Sequence, residues 1–262
     1  MYDVLSLDYD RFVNWPARLA VEMPFIEGQL EAIPGRDAGP LEVLDSACGT
    51  GMHAIALAQK GYRAAGADLS APMIERARAN ARVSAAPVRF EVAGFGELAG
   101  VFGRQAFDAL LCLGNSLPHL LDEASLVAAL DDFAACLRPG GLLLIQNRNF
   151  DAVLARRERW MEPQAHREDE TEWLFLRFYD FDPDGLITFN VVTLRREGTG
   201  PWTQRVASTR LRPLRQADLL DALAAAGFAD VTCYGDMAGA PFDAETSGNL
   251  VMAARLPATP LG

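Results

Sequence analysis

The chain contains no apolar run near the roughly 20 residues that a bilayer-spanning helix needs, so no membrane span is expected. Its first residues, MYDVLSLDYDRF, are acidic and lack an apolar centre, unlike a secretory signal. Cysteine is scarce: Cys48, Cys112, Cys136 and Cys233 lie far apart, form no CxxC pair and sit in apolar segments. They read as small reduced core residues of a cytoplasmic protein. Histidine is scarcer still, and His53, His119 and His166 have no ligand-like spacing with one another or with cysteine, so no metal site is expected. Basic residues are outnumbered 24 to 35, a formal net charge of −11. That balance repels phosphate backbones and argues against nucleic acid as a partner. The one arginine cluster, LARRERW, includes Glu158 and reads as a solvated face. What is present is half hydrophobic over 262 residues, enough for one large domain with a modest insertion.

Short apolar runs alternate with helical patterns through the middle of the chain. LEVLDSA (41–47), YRAAGAD (62–68), VRFEVA (88–93), FDALLCLG (107–114) and GLLLIQN (141–147) are five strand candidates. MHAIALAQKG and APMIERARANARV are helices between them, the second with Ser70 as its N-cap, and a third helix closes at Arg138-Pro139-Gly140-Gly141. Strands separated by helices imply right-handed crossovers and a parallel sheet covered on both faces. After residue 160 the pattern becomes antiparallel, with a hairpin signal at Asp182-Pro183-Asp184-Gly185. Four units follow: a helical cap over 1–40, interrupted near Pro24; a core over 41–160; an antiparallel insertion over 161–213; and completion of the core sheet over 214–262, ending in a loose PATPLG tail.

In VLDSACGTGMHA, Gly49 and Gly51 stand between a strand and a helix start. Glycine there lets backbone approach a ligand, and the helix start offers unpaired N–H groups. Asp68, 17 residues beyond Gly51, ends the second strand, where a carboxylate can accept bonds from both ribose hydroxyls of an adenosine. Gly49, Gly51 and Ala54 also satisfy G-x-G-x-x-G/A, which leaves a nicotinamide dinucleotide and an oxidoreductase open. Asp45 points the other way: a carboxylate at the end of strand one disfavours a pyrophosphate and suits an ammonium group.

VLDSACGTG, GADLSAPMIERAR, FDALLCLGNS and LRPGGLLLI, in that order, resemble the motifs of class I S-adenosylmethionine-dependent methyltransferases. CLGNSLPHL and NRNFDAVL are similar to the glycine/sarcosine N-methyltransferase group. The resemblance implies an α/β, Rossmann-like seven-stranded sheet of order 3-2-1-4-5-7-6, strand seven antiparallel, with helices on both faces and a small antiparallel insertion after strand five. It implies S-adenosylmethionine as cofactor and S-adenosylhomocysteine as product. Asp45, Ala47, Gly49, Gly51, Asp68, Leu69, Phe95 and Leu113 would line the cofactor site, Arg18 would meet its carboxylate, and Tyr9 is a lid candidate.

Strand four ends in Gly114-Asn115-Ser116 and strand five in Gln146-Asn147-Arg148-Asn149, both at the edge where open α/β sheets bind ligands. Methyl transfer from a sulfonium is an in-line displacement for which the protein chiefly supplies alignment. An amine attacks only when neutral, so the uncharged amide oxygen of Asn115 suits it. The fork of Arg148 suits the carboxylate of an amino acid, the rival role being an ion pair with Asp151. In the resembling group the matching Asn and Arg have these roles. His119 enters as a base only if the acceptor is a hydroxyl. The expected reaction is methylation of the amine of a small carboxylate-bearing metabolite, with an O-methyl acceptor as the alternative. STRLRPLRQADLL carries arginines where the group has a tyrosine, so a larger or more acidic acceptor than glycine is open.

Overall fold

A computed structural model describes residues 9–33 and 39–258. The start of the cap, its residues 34–38 and the end of the PATPLG tail lie outside them. Helices α1 (Tyr9–Phe12) and α2 (Trp15–Glu31) precede a core of strands β1 (Glu42–Asp45), β2 (Arg63–Asp68), β3 (Arg89–Val92), β4 (Phe107–Cys112) and β5 (Leu137–Arg148). Between these strands lie α3 (Met52–Gln59), α4 (Ala71–Val83), α5 (Leu98–Phe102) and α6 (Glu123–Cys136); α7 (Phe150–Arg156) follows. Next come β6 (Gln164–Glu168), β7 (Thr171–Phe181), β8 (Ile187–Glu197) and β9 (Thr203–Leu211), then α8 (Gln216–Ala225), β10 (Ala229–Tyr234) and β11 (Asn249–Arg255). β1 pairs in parallel with β2 and β4, β2 with β3, and β4 with β5. β11 runs antiparallel to β5 and to β10. The order β3-β2-β1-β4-β5-β11-β10 is therefore the expected 3-2-1-4-5-7-6 with an antiparallel seventh strand.

Alternation within the central strands divides their side chains between two faces. Leu110, Cys112, Leu143 and Ile145 pack against α6 and α8 through Leu126, Leu130, Phe133, Leu219 and Leu223. Leu111, Leu113, Leu142 and Leu144 pack against α2, α3 and α4 through Met23, Ile26, Leu30, Leu57 and Ile74. Each fully buried leucine contributes about 1.5–3 kcal/mol relative to exposure. A sheet buried on both faces exposes its strand ends, and the carboxyl ends of β1, β2, β4 and β5 open together on one edge.

Three local expectations are corrected. Helix α2 runs unbroken through Pro24, because Met23, Ile26 and Leu30 are buried on its inner face and outweigh the roughly 3 kcal/mol penalty of an interior proline. The break falls earlier, at Asn14, whose side chain accepts from Ala17 N–H at 3.2 Å. Residues 138–141 do not merely close α6; they open β5. Leu137 pairs with Phe107, the register then shifts, and Arg138 meets Asp108 at 2.7 Å, so Pro139 and Gly140 occupy a bulge. Finally, the insertion is a four-stranded antiparallel sheet, β6-β7-β8-β9. Its first strand, QAHRE, is a mostly exposed edge without apolar alternation, which hid it from a reading based on periodicity.

Candidate active site

The loop after β1 turns back through Gly49 and Gly51, at φ of 53° and 81°, before α3 begins. At Gly51 the conformation and the packing both require glycine: a Cβ there would lie 2.6 Å from the ring of Phe90. The Asp68 carboxylate, at the end of β2, accepts from Gly49 N–H and from Ser70 N–H, each at 2.9 Å. Those two bonds tie the first loop to the second and aim the carboxylate into a cavity of about 550 Å³. Ala47, Gly49, Asp68, Leu69, Phe95 and Leu113 line that cavity. Leu69 is an apolar side chain left 76% exposed there, and Phe95 rests edge-on against Phe133 with ring centroids 5.4 Å apart.

Asp45 lies beneath this cradle rather than in the cavity wall. It is 2% exposed, and one carboxylate oxygen has no partner. Burial pushes its pKa up to about 6, with the nearby His53 and Arg18 working against that rise. A buried carboxylate oxygen without a partner fits a cationic ligand group.

A second cavity, of about 540 Å³, adjoins the first; Tyr9 and Gly114 line both. It is bounded by α1 and α2, by the exits of β4 and β5, and by β7 and β8 of the insertion. Asn115 stands at its floor with φ of 68°, its N–H donating to Gln146 O and its amide oxygen accepting from Arg148 N–H, both at 3.0 Å. The residue therefore serves as a turn and lines the cavity together; one lone pair of its oxygen is already used. Arg148 lines the same cavity, and its ion-pair partner is Glu158, at 3.0 Å, in place of the anticipated Asp151. Asp151 instead accepts from Gln216 N–H at 2.9 Å.

Arg18 also lines this second cavity, bonded to Glu22 at 2.9 Å and to Gln146 at 3.3 Å. Glu22 is held on its other side by His53 at 2.6 Å, and those contacts keep its pKa low despite burial. His119 lines the first cavity, apart from Asn115 and Arg148. Burial lowers its pKa to about 4, so the imidazole is neutral at neutral pH.

The insertion roofs this cavity: its aromatic row was expected to bring one or two rings over the acceptor, and Tyr179 does so, while Arg177 beside it was not anticipated. Trp173, Phe175, Arg177 and Tyr179 alternate along β7 on one face, and Arg177 and Tyr179 line the second cavity beside Phe189 and Val191 of β8. Asn147 does so as well; it is 1% exposed, and neither end of its amide has a partner. The three arginines of 208–215 line neither cavity: Arg210 pairs with Asp182 and Asp184 at the β7–β8 turn, Arg212 follows β9 with its N–H on Pro118 O, and Arg215 stands at the N-cap of α8. Among the described residues, no group of three His, Cys, Asp or Glu side chains could hold a metal ion, and no helix is long and apolar enough to cross a membrane.

Comparison with known proteins agrees with this arrangement. Residues 43–141 match a family described as a methyltransferase domain. The glycine/sarcosine N-methyltransferase of Aphanothece halophytica is 30% identical over 228 residues, covering 87% of this chain and 79% of that protein. The glycine/sarcosine N-methyltransferase of Parasynechococcus marenigrum is 37% identical over 147 residues, and the chain spans 50% of its length. Among solved structures, the sugar N-methyltransferase KedS8 from Streptoalloteichus superposes with a TM-score of 0.68 at 25% identity, covering 99% of this chain and 93% of that one. The chain belongs to the S-adenosylmethionine-dependent methyltransferases, in the family that contains the first of these relatives. Its cofactor is therefore S-adenosylmethionine, and the glycine pattern does not mark a nicotinamide site.

Proposed function

We propose that the enzyme methylates the amine of a small metabolite that also carries a carboxylate. One observation carries this reading: Asn115 and Arg148 are hydrogen-bonded to each other in one cavity that shares a wall with the cofactor cradle. In that cradle Asp68 would hold the ribose, and Ala47, Leu69, Phe95 and Leu113 the apolar parts of the cofactor; Asp45, buried behind the wall, would face the ammonium group from outside the cavity. When bound, the cofactor supplies an electrophilic methyl group: the amine lone pair forms the N–C bond as the S–C bond breaks, leaving S-adenosylhomocysteine and an N-methylated ammonium ion.

The chain's own residues orient the acceptor and keep it nucleophilic. Arg148 offers its guanidinium to the acceptor carboxylate, with a buried Nε that has no protein partner. Asn115 offers the remaining lone pair of an uncharged oxygen to the amine. Glu22 is the sole carboxylate lining the cavity among the described residues, and Arg18 and His53 already engage it. An ammonium form of the acceptor thus has no unpaired carboxylate to hold it, which favours the neutral, attacking amine. A hydroxyl acceptor would need a base, and His119 lies in the other cavity.

The test is steady-state kinetics of Arg148→Ala with a carboxylate-bearing amine. The acceptor KM should rise by about tenfold or more, as expected for loss of a charged hydrogen bond, while affinity for S-adenosylhomocysteine stays within a factor of about two. An unchanged KM would remove Arg148 from acceptor binding.

A further inference from the structure

The structure assigns Arg177 the task of holding a second anionic group on the acceptor, which makes the acceptor class an amine with two negative charges. This deepens the proposed function and rests on its placing of the acceptor in the second cavity. The protein carries a net charge of −11, yet that cavity is lined by three arginines, Arg18, Arg148 and Arg177, against the single acid Glu22 among the described residues. Arg18 is matched by Glu22 and Arg148 by Glu158. Arg177 has no carboxylate partner among the described residues.

Its position makes that lack costly. Arg177 sits mid-strand in β7, opposite Val191, on the face that also carries Trp173, Phe175 and Tyr179. Its guanidinium lies over the ring of Phe12, 4.8 Å from the centroid, and its Nε is buried without a partner. Desolvation and the proximity of Arg148 both lower its pKa. Tyr179, which burial raises to about 12, stays an uncharged phenol and offers no counter-charge. A desolvated guanidinium facing another cation is unfavourable unless an anion completes the site. The acceptor's first carboxylate takes Arg148; a second anion on the same molecule meets Arg177. The unpartnered amide of Asn147 adds a donor and an acceptor in the same wall. A second carboxylate and a phosphate share this chemistry, and the experiment separates them.

The measurement compares wild type, Arg177→Met, which keeps the aliphatic stem over Phe12, and Arg177→Lys, which restores a charge. Acceptors are glycine and sarcosine with one carboxylate, aspartate and glutamate with two, and O-phosphoserine with a carboxylate and a phosphate. Binding is read by calorimetry with S-adenosylhomocysteine bound, and transfer by release of S-adenosylhomocysteine from S-adenosylmethionine. At least one dianionic amine should bind wild type on the order of tenfold to a hundredfold more tightly than glycine does, as a charged hydrogen bond implies. That preference should vanish in Arg177→Met and return in part in Arg177→Lys. Aspartate or glutamate leading identifies the second group as a carboxylate, and O-phosphoserine leading identifies a phosphate. No preference for any dianion, or a preference that survives in Arg177→Met, overturns the assignment. Arg177-dependent binding of dianions with no N-methyl product from any amine would overturn the proposed function, and with it the amine acceptor, while leaving Arg177 as the anion-binding residue of this cavity.

Discussion

Asp45 should make cofactor affinity pH-dependent. Its ordinary pKa of 3.8 is raised to about 6 by burial, and one of its oxygens has no partner in the protein. With that value the side chain is about 97% ionised at pH 7.5 and about 9% ionised at pH 5. If the ionised form holds the cofactor's ammonium group, affinity should fall about tenfold between those two values. The same shift acts on stability with the opposite preference. A carboxyl whose folded pKa is raised contributes stability that is full below about 3.8 and lost as pH rises through about 6, up to about 3 kcal/mol in all. Asp45→Asn removes the titration. It should therefore gain unfolding free energy relative to wild type as pH rises from 4 to 7.5, while losing roughly tenfold to a hundredfold in affinity for the cofactor product at pH 7.5. Calorimetric titration with S-adenosylhomocysteine at pH 5, 6 and 7.5, beside urea unfolding at pH 4 and 7.5, reads both effects. A wild-type affinity that is flat across that range, or an Asp45→Asn protein that binds as tightly as wild type at pH 7.5, would refute the reasoning.

Asp68→Ala should weaken S-adenosylhomocysteine binding by tenfold or more. It removes both the ribose contact and the bonds to Gly49 and Ser70 N–H that order the two loops; calorimetry reads the loss, and wild-type affinity would remove Asp68 from the site. Gly51→Ala should cost about 2–5 kcal/mol in urea unfolding, combining left-handed strain with overpacking on Phe90. Adding Phe90→Leu should recover part of that loss; no recovery would mean that the left-handed backbone or the Ala77 methyl, 2.9 Å from the added Cβ, limits the position instead. Tyr9 lines both cavities, so Tyr9→Ala should weaken acceptor and cofactor binding together. An effect confined to one ligand would place the side chain at that ligand alone.

The meeting of Gly49, Gly51 and Asp68 at one strand edge was legible because it is set locally: a glycine turn leaves one strand, a carboxylate ends the next, and the parallel pairing of β1 with β2 brings them together. Asn115 and Arg148 were legible for the same reason, standing at the exits of two apolar runs that pair as β4 and β5. Arg177 was not. Its meaning depends on the insertion sheet folding over the strand ends, and along LFLRFYDF one inward arginine in an aromatic row looks like part of that sheet's own core. Its signal was the period of two: Trp173, Phe175, Arg177 and Tyr179 share a face. The β6 edge gave no period at all, because exposed edge strands gain nothing from apolar alternation. Pro24 misled in the other direction, since tertiary burial of Met23, Ile26 and Leu30 overrides a local helix-breaking preference. The arginines of 208–215 were visible, but the acidic β7–β8 turn that takes Arg210 lies about 26 residues earlier in the chain.

The central claim is that the acceptor atom is an amine nitrogen in the cavity of Asn115 and Arg148. Its most direct test is mass analysis of the product formed from methyl-labelled S-adenosylmethionine with mono- and dicarboxylate amines. An N-methyl product is expected, formed in step with S-adenosylhomocysteine release and suppressed by Arg148→Ala. A methyl ester or ether as the labelled product, or N-methylation indifferent to Arg148, would contradict it.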